Sequence, residues 1–256
     1  MSKNMRIALD IRKSLEQNAA HYFDKSKKAK KKMKGAQEAI EKTKAKMGKV
    51  ELIKEEKKEL KQQKKLEWYE KYHWFVSSDG FLVIGGRDAT TNEIIIKKHS
   101  QEHDKVFHTD MAGSPFVVVK SEGKEIPEQT LDEAAAFTLA YSRAWKQGMA
   151  TAPVFYVNPD QVSKKAKSGE YLGKGSFMIY GETKYMDTEM SFAVGIYNGK
   201  AMGGPFSAIQ KNCPEIIEII QGRDKKSDAA KKIKYKLGGD LDEIISALPA
   251  GGVALK

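Results

Sequence analysis

The residues best suited to acid–base or metal chemistry are three histidines and an aspartate in one short stretch. His108 and Asp110 lie two apart at a predicted strand end, and His99 and His103 lie four apart just before them. A His–Asp pair could act as general acid and base or bind a metal, and it would suit a metal-dependent RNA hydrolase. Zinc needs four convergent ligands, however, and this spacing matches no zinc motif. We therefore predict no catalytic residue, no metal site and no cofactor, and a protein that is not an enzyme.

Motifs for nucleophilic catalysis and nucleotide binding are missing from the sequence. Gly85-Gly86-Arg87 is too short for a dinucleotide or P-loop motif, and no serine lies in a nucleophile-elbow pattern. Cys213 is the single cysteine, so it can form neither an internal disulfide nor a cysteine metal site. Its presence fits a reducing compartment, and we predict a cytoplasmic location.

A polar group at a predicted strand-to-helix junction could hold phosphate. It consists of Arg87, Asp88, Asn92 and Glu93. Arg87 could hold the phosphate while the helix N-terminus supplies backbone N–H donors. An internal salt bridge that fixes the junction is an equally good interpretation, and both stay open.

Arg143 and Lys146 flank Trp145 at the end of a long predicted helix. The indole could stack on a base while the cations hold its phosphate. A core tryptophan between two solvated cations is the simpler interpretation.

Charge is distributed unevenly along the 256 residues, whose formal net charge is +11. Residues 1–66 hold 21 Lys/Arg and 9 Asp/Glu, or +12, so the rest of the chain sums to −1. A basic arm on a neutral body favours a polyanionic partner, of which nucleic acid is the commonest. The alternative is a solvated, lysine-rich coiled coil without such a partner. No apolar run approaches the roughly 18 residues of a membrane span, so no membrane partner is predicted.

The basic arm has the repeat of a coiled coil. From Leu15 to Met47, small or apolar residues recur at alternating spacings of four and three, which is a sustained 3.5-residue period. Gly48 is a natural helix stop, and a weaker second helix is predicted from Val50 to Tyr69. The pattern therefore predicts a projecting antiparallel coiled-coil hairpin that turns at Gly48.

Six lysines of this arm are the first candidates for phosphate contacts. Ala29 and Met33 take the apolar seam, so the lysines around them point outward. They are Lys27, Lys28, Lys30, Lys31, Lys32 and Lys34.

After the arm, short β-type runs alternate with helices. Ser78-Asp79-Gly80 predicts a hairpin turn, Asp88 is placed to cap a helix, and Gly203-Gly204-Pro205 is predicted as a turn. Glu128 to Trp145 gives the clearest helix of this region. The fold class is therefore α/β or α+β, with a mixed sheet. Domains are predicted at 1–70 and 71–256, strands at 73–77, 81–84, 106–108, 116–120, 154–157, 177–180, 192–197 and 216–220, and late helices at 229–237 and 241–248.

The segment from Glu67 to Glu93, with the sequence EWYEKYHWFVSSDGFLVIGGRDATTNE, resembles the hallmark of the NFACT-R RNA-binding domain. The NFACT family includes RqcH and NEMF, and the likeness extends over essentially the whole chain. Other similar stretches are Leu9 to Ala19, Asp104 to Asp110, Ser168 to Phe177, Gly203 to Pro205, Lys225 to Ser227 and Leu248-Pro249.

The resemblance implies a component of ribosome-associated quality control. Such a protein binds the large ribosomal subunit obstructed with peptidyl-tRNA, contacts rRNA and tRNA, and supports tailing of the nascent chain by ribosomal chemistry. We predict that the body contributes a contact face to RNA. Its candidates are Arg87, Asn92, Lys97, Lys98, His108 and Arg143.

Full-length relatives carry an NFACT-N domain and a helix-hairpin-helix region before the coiled coil. This chain begins where the coiled coil begins, so we expect it to lack both parts. A separate NFACT-N-containing protein is then a candidate partner. A protein-only coiled-coil adaptor is the remaining alternative.

Overall fold

The computed structural model describes residues 7–63, 67–165 and 172–256, with the backbone alone at residues 42 and 45–63. Contacts within the chain divide it into two compact units, the arm at residues 1–66 and the body at residues 67–256. The predicted domain limit between residues 70 and 71 stays a prediction.

The arm contains one continuous helix, α1 (Leu15–Gln63), of 49 residues. The predicted hairpin is therefore wrong, because the helix runs through Gly48 without a turn. One glycine costs a helix interior only about 1 kcal/mol and cannot stop it by itself, and no proline occurs before Pro115. Seam residues that the hairpin would have covered are exposed, with Met33 at 61% and Ile40 at 54%. Residues 64–66 of the predicted second helix lie outside the described residues.

A network of side-chain hydrogen bonds fixes the start of α1. Ser14 and Gln17 form a reciprocal cap, in which each side chain accepts the other residue's backbone N–H at 3.2 and 3.1 Å. Asn18 is buried, accepts the N–H of Asp10 at 2.9 Å and donates to the carbonyls of Asp10, Lys13 and Ser14. The residues that carry the likeness at Leu9 to Ala19 thus build the first turn of the helix.

The body contains eighteen α-helices and β-strands in its described residues. In chain order they are β1 (His73–Val76), β2 (Leu82–Gly85), α2 (Ala89–Lys98), β3 (Lys105–His108), β4 (Val117–Val119), α3 (Glu128–Ala140), α4 (Arg143–Gln147), β5 (Thr151–Val157), β6 (Val162–Ser163), β7 (Met178–Ile179), β8 (Lys184–Glu189), β9 (Ala193–Tyr197), β10 (Lys200–Gly204), α5 (Phe206–Asn212), β11 (Ile216–Asp224), α6 (Lys226–Leu237), α7 (Leu241–Ala247) and β12 (Val253–Leu255).

These strands form three sheets. The largest has the order β1-β2-β4-β3-β5-β8, the second has the order β10-β9-β11-β12, and β6 pairs with β7 alone. Every pairing among the described strands is antiparallel. The body is therefore a mixed α and β fold as predicted, but its sheets are antiparallel instead of mixed in direction.

One predicted turn is present in the structure, and one predicted helix is divided into two. Ser78-Asp79-Gly80 joins β1 to β2 as predicted, with Gly80 at φ +87°, a conformation that favours glycine. The helix predicted from Glu128 to Trp145 is instead split into α3 and α4, because the Ser142 hydroxyl accepts the N–H of Ala144 and starts a new helix.

Gly203 and Gly204 lie within β10 and not in the predicted turn. A Cβ on Gly203 would lie 2.6 Å from the Ala247 carbonyl oxygen, and one on Gly204 would lie 3.0 Å from the Phe75 ring. These glycines are therefore explained by close packing against α7 and β1 and not by chain reversal.

Two apolar clusters hold the body together. The larger packs α3 and α5 on the six-stranded sheet around Phe75, Phe107 and Phe137. The smaller packs α6 and α7 on the four-stranded sheet around Trp145 and Phe192. Ile95 of α2 belongs to the larger cluster, and Ala229, Ala230 and Ile233 of α6 belong to the smaller one.

Candidate nucleic-acid interface

The lysine run of α1 lies on an open helix surface. At 100° per residue the six lysines occupy an arc of about 200°, and Ala29 and Met33 lie on the opposite side. All six side chains are exposed, and none forms an ion pair with a described carboxylate. Their charge is therefore available to an external anion. The run comprises Lys27, Lys28, Lys30, Lys31, Lys32 and Lys34.

On the body, α2 positions several of the predicted contact residues. Asp88 caps the helix as predicted, since its carboxylate accepts the Thr91 N–H at 2.8 Å. This bond and the Thr91 hydroxyl lower the pKa of Asp88. The helix is therefore rigid at its first turn, with Arg87 before it and Lys97 and Lys98 at its last turn.

Arg87 is anchored to main-chain carbonyls. Its Nη2 donates to the carbonyls of Tyr72 at 2.9 Å and Glu70 at 3.3 Å. Neutral hydrogen bonds thus hold Arg87, and not the internal salt bridge that was one of the two open interpretations. A guanidinium has five N–H donors, and these two bonds leave others unused. Arg87 is thus an exposed cation held in a fixed orientation.

Glu93 neutralises part of the charge on α2. It accepts Lys164 Nζ at 2.6 Å and the Gly175 N–H at 3.2 Å, and Lys97 lies 3.5 Å from it. The Lys164 hydrogen bond and then the Gly175 N–H lower the pKa of Glu93 to about 2. Lys164 is therefore a structural clamp for the loop after residue 171, and Lys97 is a partly compensated cation.

An aromatic pair lies at the other end of α2. Trp68 stacks on His99 with 4.5 Å between ring centroids, and Lys71 lies over the neighbouring Tyr72 ring at 5.1 Å. Lys71 and Lys98 form no ion pair with any carboxylate in the described part of the chain. Burial, then Lys71, Lys120 and Lys98, lower the pKa of His99. This end of α2 therefore carries uncompensated positive charge beside exposed aromatic surface.

Asn92 does not belong to an RNA contact face. The residue is buried, and its Oδ1 accepts the Phe116 N–H at 3.1 Å. A Cβ on Gly86 would lie 1.8 Å from the same oxygen. Asn92 therefore joins α2 to the residue before β4, which explains why an amide side chain is needed at position 92 and a glycine at position 86.

His108 is also a packed side chain. Its ring lies 4.3 Å from the Phe116 ring centroid and 6.0 Å from that of Phe155. Burial is the main cause that lowers the pKa of His108, so the ring is neutral at pH 7 and a poor phosphate ligand. Asp110 accepts instead from the Tyr185 hydroxyl at 3.2 Å.

Arg143 begins α4 and is exposed, whereas Trp145 is a core residue. The position of a Cβ on Gly113 would lie 3.6 Å from Arg143 Nη2, so the guanidinium lies over the loop after β3. Trp145 is buried and its Nε1 donates to the Gly252 carbonyl at 3.0 Å. The simpler interpretation of this tryptophan is therefore confirmed.

The histidines and acids do not converge on a metal. Within the described residues no group of three or more His, Cys, Asp or Glu side chains could hold an ion. Cys213 is buried, and burial raises its pKa to about 11, which removes it from nucleophilic roles at neutral pH.

Sequence reasoning missed two cations beside the predicted ones. Lys71 lies in the hallmark segment, three residues after Trp68 and next to Tyr72, and these aromatic neighbours could have indicated it. Lys226 begins α6 and is half-buried, and burial followed by the charge of Arg87 lowers the pKa of Lys226. Only the tertiary structure brings Lys226 near Arg87, so sequence spacing could not indicate this pair.

Family models, curated proteins and a solved structure show what the chain is similar to. Residues 71–181 match the family model described as NFACT protein RNA binding domain, and residues 1–71 match the one described as NFACT N-terminal and middle domains. The archaeal Rqc2 homolog aRqcH of Methanocaldococcus jannaschii is 43% identical over 204 residues, which cover 77% of this chain and 30% of that protein. The ribosome quality control complex subunit NEMF of Homo sapiens is 38% identical over 178 residues, which cover 66% of this chain and 16% of that protein. The C-terminal of the fibronectin/fibrinogen-binding protein from Streptococcus suis superimposes with a TM-score of 0.41 and 20% identity, covering 69% of this chain and 77% of that one.

The chain belongs to the NFACT family. It spans at most 30% of the length of the curated relatives named above. The expectation that it lacks the NFACT-N part is corrected in part, because residues 1–71 match the model for the N-terminal and middle domains. Among the described residues, no helix is long and apolar enough to cross a membrane.

Proposed function

We propose that this chain is an RNA-binding part of a ribosome-associated quality control factor. It acts in the cytoplasm on large ribosomal subunits obstructed with peptidyl-tRNA, where it contacts rRNA and tRNA and supports tailing of the nascent chain. The match of residues 71–181 to an NFACT RNA-binding domain supports this function, as do relatives named as ribosome quality control subunits.

The observation that carries the proposal is the lysine run of α1. Six exposed lysines lie within two helical turns, and no described carboxylate pairs with them. Such a surface gains free energy from a polyanion, because each phosphate it neutralises releases condensed counterions. A solvated coiled coil without a partner would gain nothing from this density of like charge.

The body adds fixed cations to this binding. Arg87, Lys98, Arg143 and the additional Lys71 are exposed and free of ion pairs with described acids. Arg87 and Lys98 are separated by about 16 Å along the α2 axis, so they contact different phosphates. Asn92 and His108 pack inside the body and are not proposed as RNA contacts.

The proposal is tested by co-sedimentation with purified large ribosomal subunits, either vacant or carrying peptidyl-tRNA. We expect the chain to migrate with the subunits at low salt, with stronger retention on the obstructed ones. Reversal of Lys30, Lys31 and Lys32 to glutamate should release it at lower salt than the wild type. No migration with either subunit, and no tRNA binding at low salt, would refute the function.

Two alternatives are distinguished by simple measurements. A protein-only adaptor would remain on subunits at high salt and bind no naked RNA. A hydrolase would cleave labelled RNA in Mg²⁺ or Mn²⁺ and lose that activity on His108→Ala. The packing of His108 against Phe116 gives no support to the second alternative.

A further inference from the structure

One surface, distant in sequence from the predicted RNA contacts, combines high positive charge with an aromatic ring that is almost fully exposed. Residues 225–236, which form the cap and most of α6, contain six lysines and one aspartate. The rest of the body is acidic in compensation, since the residues after 66 sum to −1. Positive charge in the body is thus concentrated on this helix.

The packing of α6 determines which side chains face outward. Ala229, Ala230 and Ile233 are buried against the four-stranded sheet. Residues three and four apart share a helix face, so Tyr235 lies beside Lys231 and Lys232 on the outer side. These three side chains line one surface depression together with Lys236 and Leu255.

Tyr235 is the most unusual member of this group, because 92% of its surface is exposed. An aromatic ring that remains in water forfeits the free energy that burial would supply. No hydrogen bond or ring contact holds Tyr235 in the described part of the chain. Both faces of the ring are therefore open to a ligand.

The ion pairs of α6 leave charge beside the ring. Lys231 pairs with Asp228 at 3.1 Å and Lys232 pairs with Asp224 at 2.7 Å. Lys234 and Lys236 are exposed and pair with no described carboxylate. An open tyrosine between uncompensated cations is the arrangement that single-stranded nucleic acids recognise, because any base can stack on the ring while phosphates meet the lysines.

We infer that the outer face of α6 binds single-stranded RNA, with an unpaired base stacked on Tyr235 and flanking phosphates held by Lys234 and Lys236. The surface lies outside residues 71–181, which match the RNA-binding domain model. It adds a specific preference for unpaired RNA to the general phosphate binding proposed above.

The test uses the full chain and fluorescence anisotropy with a labelled 12-nucleotide uridine-rich single strand and a duplex of the same length. Tyr235→Ala should weaken binding to the single strand about five- to hundred-fold and change duplex binding less than two-fold. Tyr235→Phe should stay within two-fold of the wild type, because it keeps the ring. The matched control is Tyr185→Ala, since Tyr185 is 54% exposed but its hydroxyl lies 3.2 Å from Asp110, and it should have no effect.

A crosslink locates the contact directly. A strand containing 5-iodouridine, irradiated with the wild type and mapped by mass spectrometry, should be joined to Tyr235. Unchanged affinity in Tyr235→Ala, equal losses for strand and duplex, an equal loss in Tyr185→Ala, or crosslinking only elsewhere would each overturn the inference.

The same assay separates this inference from the proposed function. Reversal of Lys30, Lys31 and Lys32 should weaken strand and duplex alike, whereas Tyr235→Ala acts on the strand alone. If the α1 variant loses binding and the Tyr235 variant does not, the proposed function stands and the α6 surface fails. If the wild type binds neither RNA, both fail.

Discussion

The Trp68 indole lies parallel to the His99 imidazole, with 4.5 Å between ring centroids and 17° between ring planes. This contact joins the first residues of the body to the end of α2. It covers His99 while leaving 42% of Trp68 exposed. The stack therefore holds Lys71 and Lys98 on one side of the body, where both can meet the same RNA.

Removal of the indole should change the titration of His99. Burial is the largest cause that lowers the pKa of His99, so Trp68→Ala should raise this pKa toward its ordinary value of 6.5. Trp68→Phe keeps a stacking ring and should change the pKa less. Imidazole NMR resonances followed over pH 5 to 8 measure this, and an unchanged His99 midpoint in Trp68→Ala contradicts the role given to the stack.

His73 should make the body sensitive to acid. Burial, then the charges of Arg87 and Lys226, hold the pKa of His73 well below 6.5, and its Nδ1 is buried without a hydrogen-bond partner. Because the folded pKa is below the unfolded one, the stabilising effect of the neutral ring is complete above about pH 6.5. It is lost as the pH falls from there toward the folded pKa, at up to about 1.4 kcal/mol per pH unit.

His73→Phe keeps the stack on Tyr141, whose centroid lies 3.9 Å away, and removes the titrating group. The fall in unfolding free energy between pH 7.5 and pH 5.5 should then shrink by about 1 kcal/mol. Urea unfolding at the two pH values measures this difference. An equal fall in variant and wild type would show that the titration of His73 does not cause the loss of stability at acid pH.

The buried ion pair between Lys120 and Asp104 should be essential for stability. Asp104 is fully buried and also accepts the N–H groups of Gln101 and Ser121, each at 2.9 Å. Lys120→Met leaves this carboxylate without its cation, and we expect a loss of about 3–5 kcal/mol in unfolding free energy.

The control for this change is Lys256→Met, which breaks an exposed pair with Glu218 at 3.0 Å and should cost less than about 1 kcal/mol. The double variant Lys120→Met with Asp104→Asn should be more stable than Lys120→Met alone, because no unpaired charge remains. Similar losses for the buried and the exposed pair would contradict the prediction.

Gly86 should not accept a side chain. A Cβ there would lie 1.8 Å from Asn92 Oδ1, so Gly86→Ala must displace the amide that holds the Phe116 N–H. We expect a loss of about 1–3 kcal/mol from the unsatisfied buried group. Gly35→Ala on α1 meets nothing within 4 Å and should be neutral or stabilising by up to about 1 kcal/mol. Thermal unfolding of both variants compares the two sites.

Local sequence predicted those elements whose ends are determined by their own side chains. The turn at Ser78-Asp79-Gly80 and the Asp88 cap depend on residues within four positions, and both are confirmed. Gly48 misled because a single glycine does not outweigh the helix on either side. Gly203 was wrongly predicted to be in a turn. A glycine is needed there because the Ala247 carbonyl lies close to it, and Ala247 is distant in sequence.

Some residues of the candidate site could likewise be predicted from local sequence, and others could not. The lysine run could be found from sequence, because exposure of all its members follows from charge and helical period. Asn92 and His108 could not be excluded, because their partners Phe116 and Phe155 are distant from them in sequence. The exposure of Tyr235 depends on which face of α6 the four-stranded sheet covers, and only the structure shows this.

If the lysines of α1 bind RNA phosphates, the affinity for tRNA must fall steeply with salt, and these side chains must cause part of that slope. Affinity is measured from 50 to 300 mM salt for the wild type, for Lys30→Glu/Lys31→Glu/Lys32→Glu, and for the control Lys124→Glu/Lys211→Glu. If each of the three lysines neutralises one phosphate, the slope of log affinity against log salt should become shallower by about 2–3 in the α1 variant and stay unchanged in the control. Equal slopes and affinities for wild type and α1 variant would show that these lysines do not bind RNA phosphates.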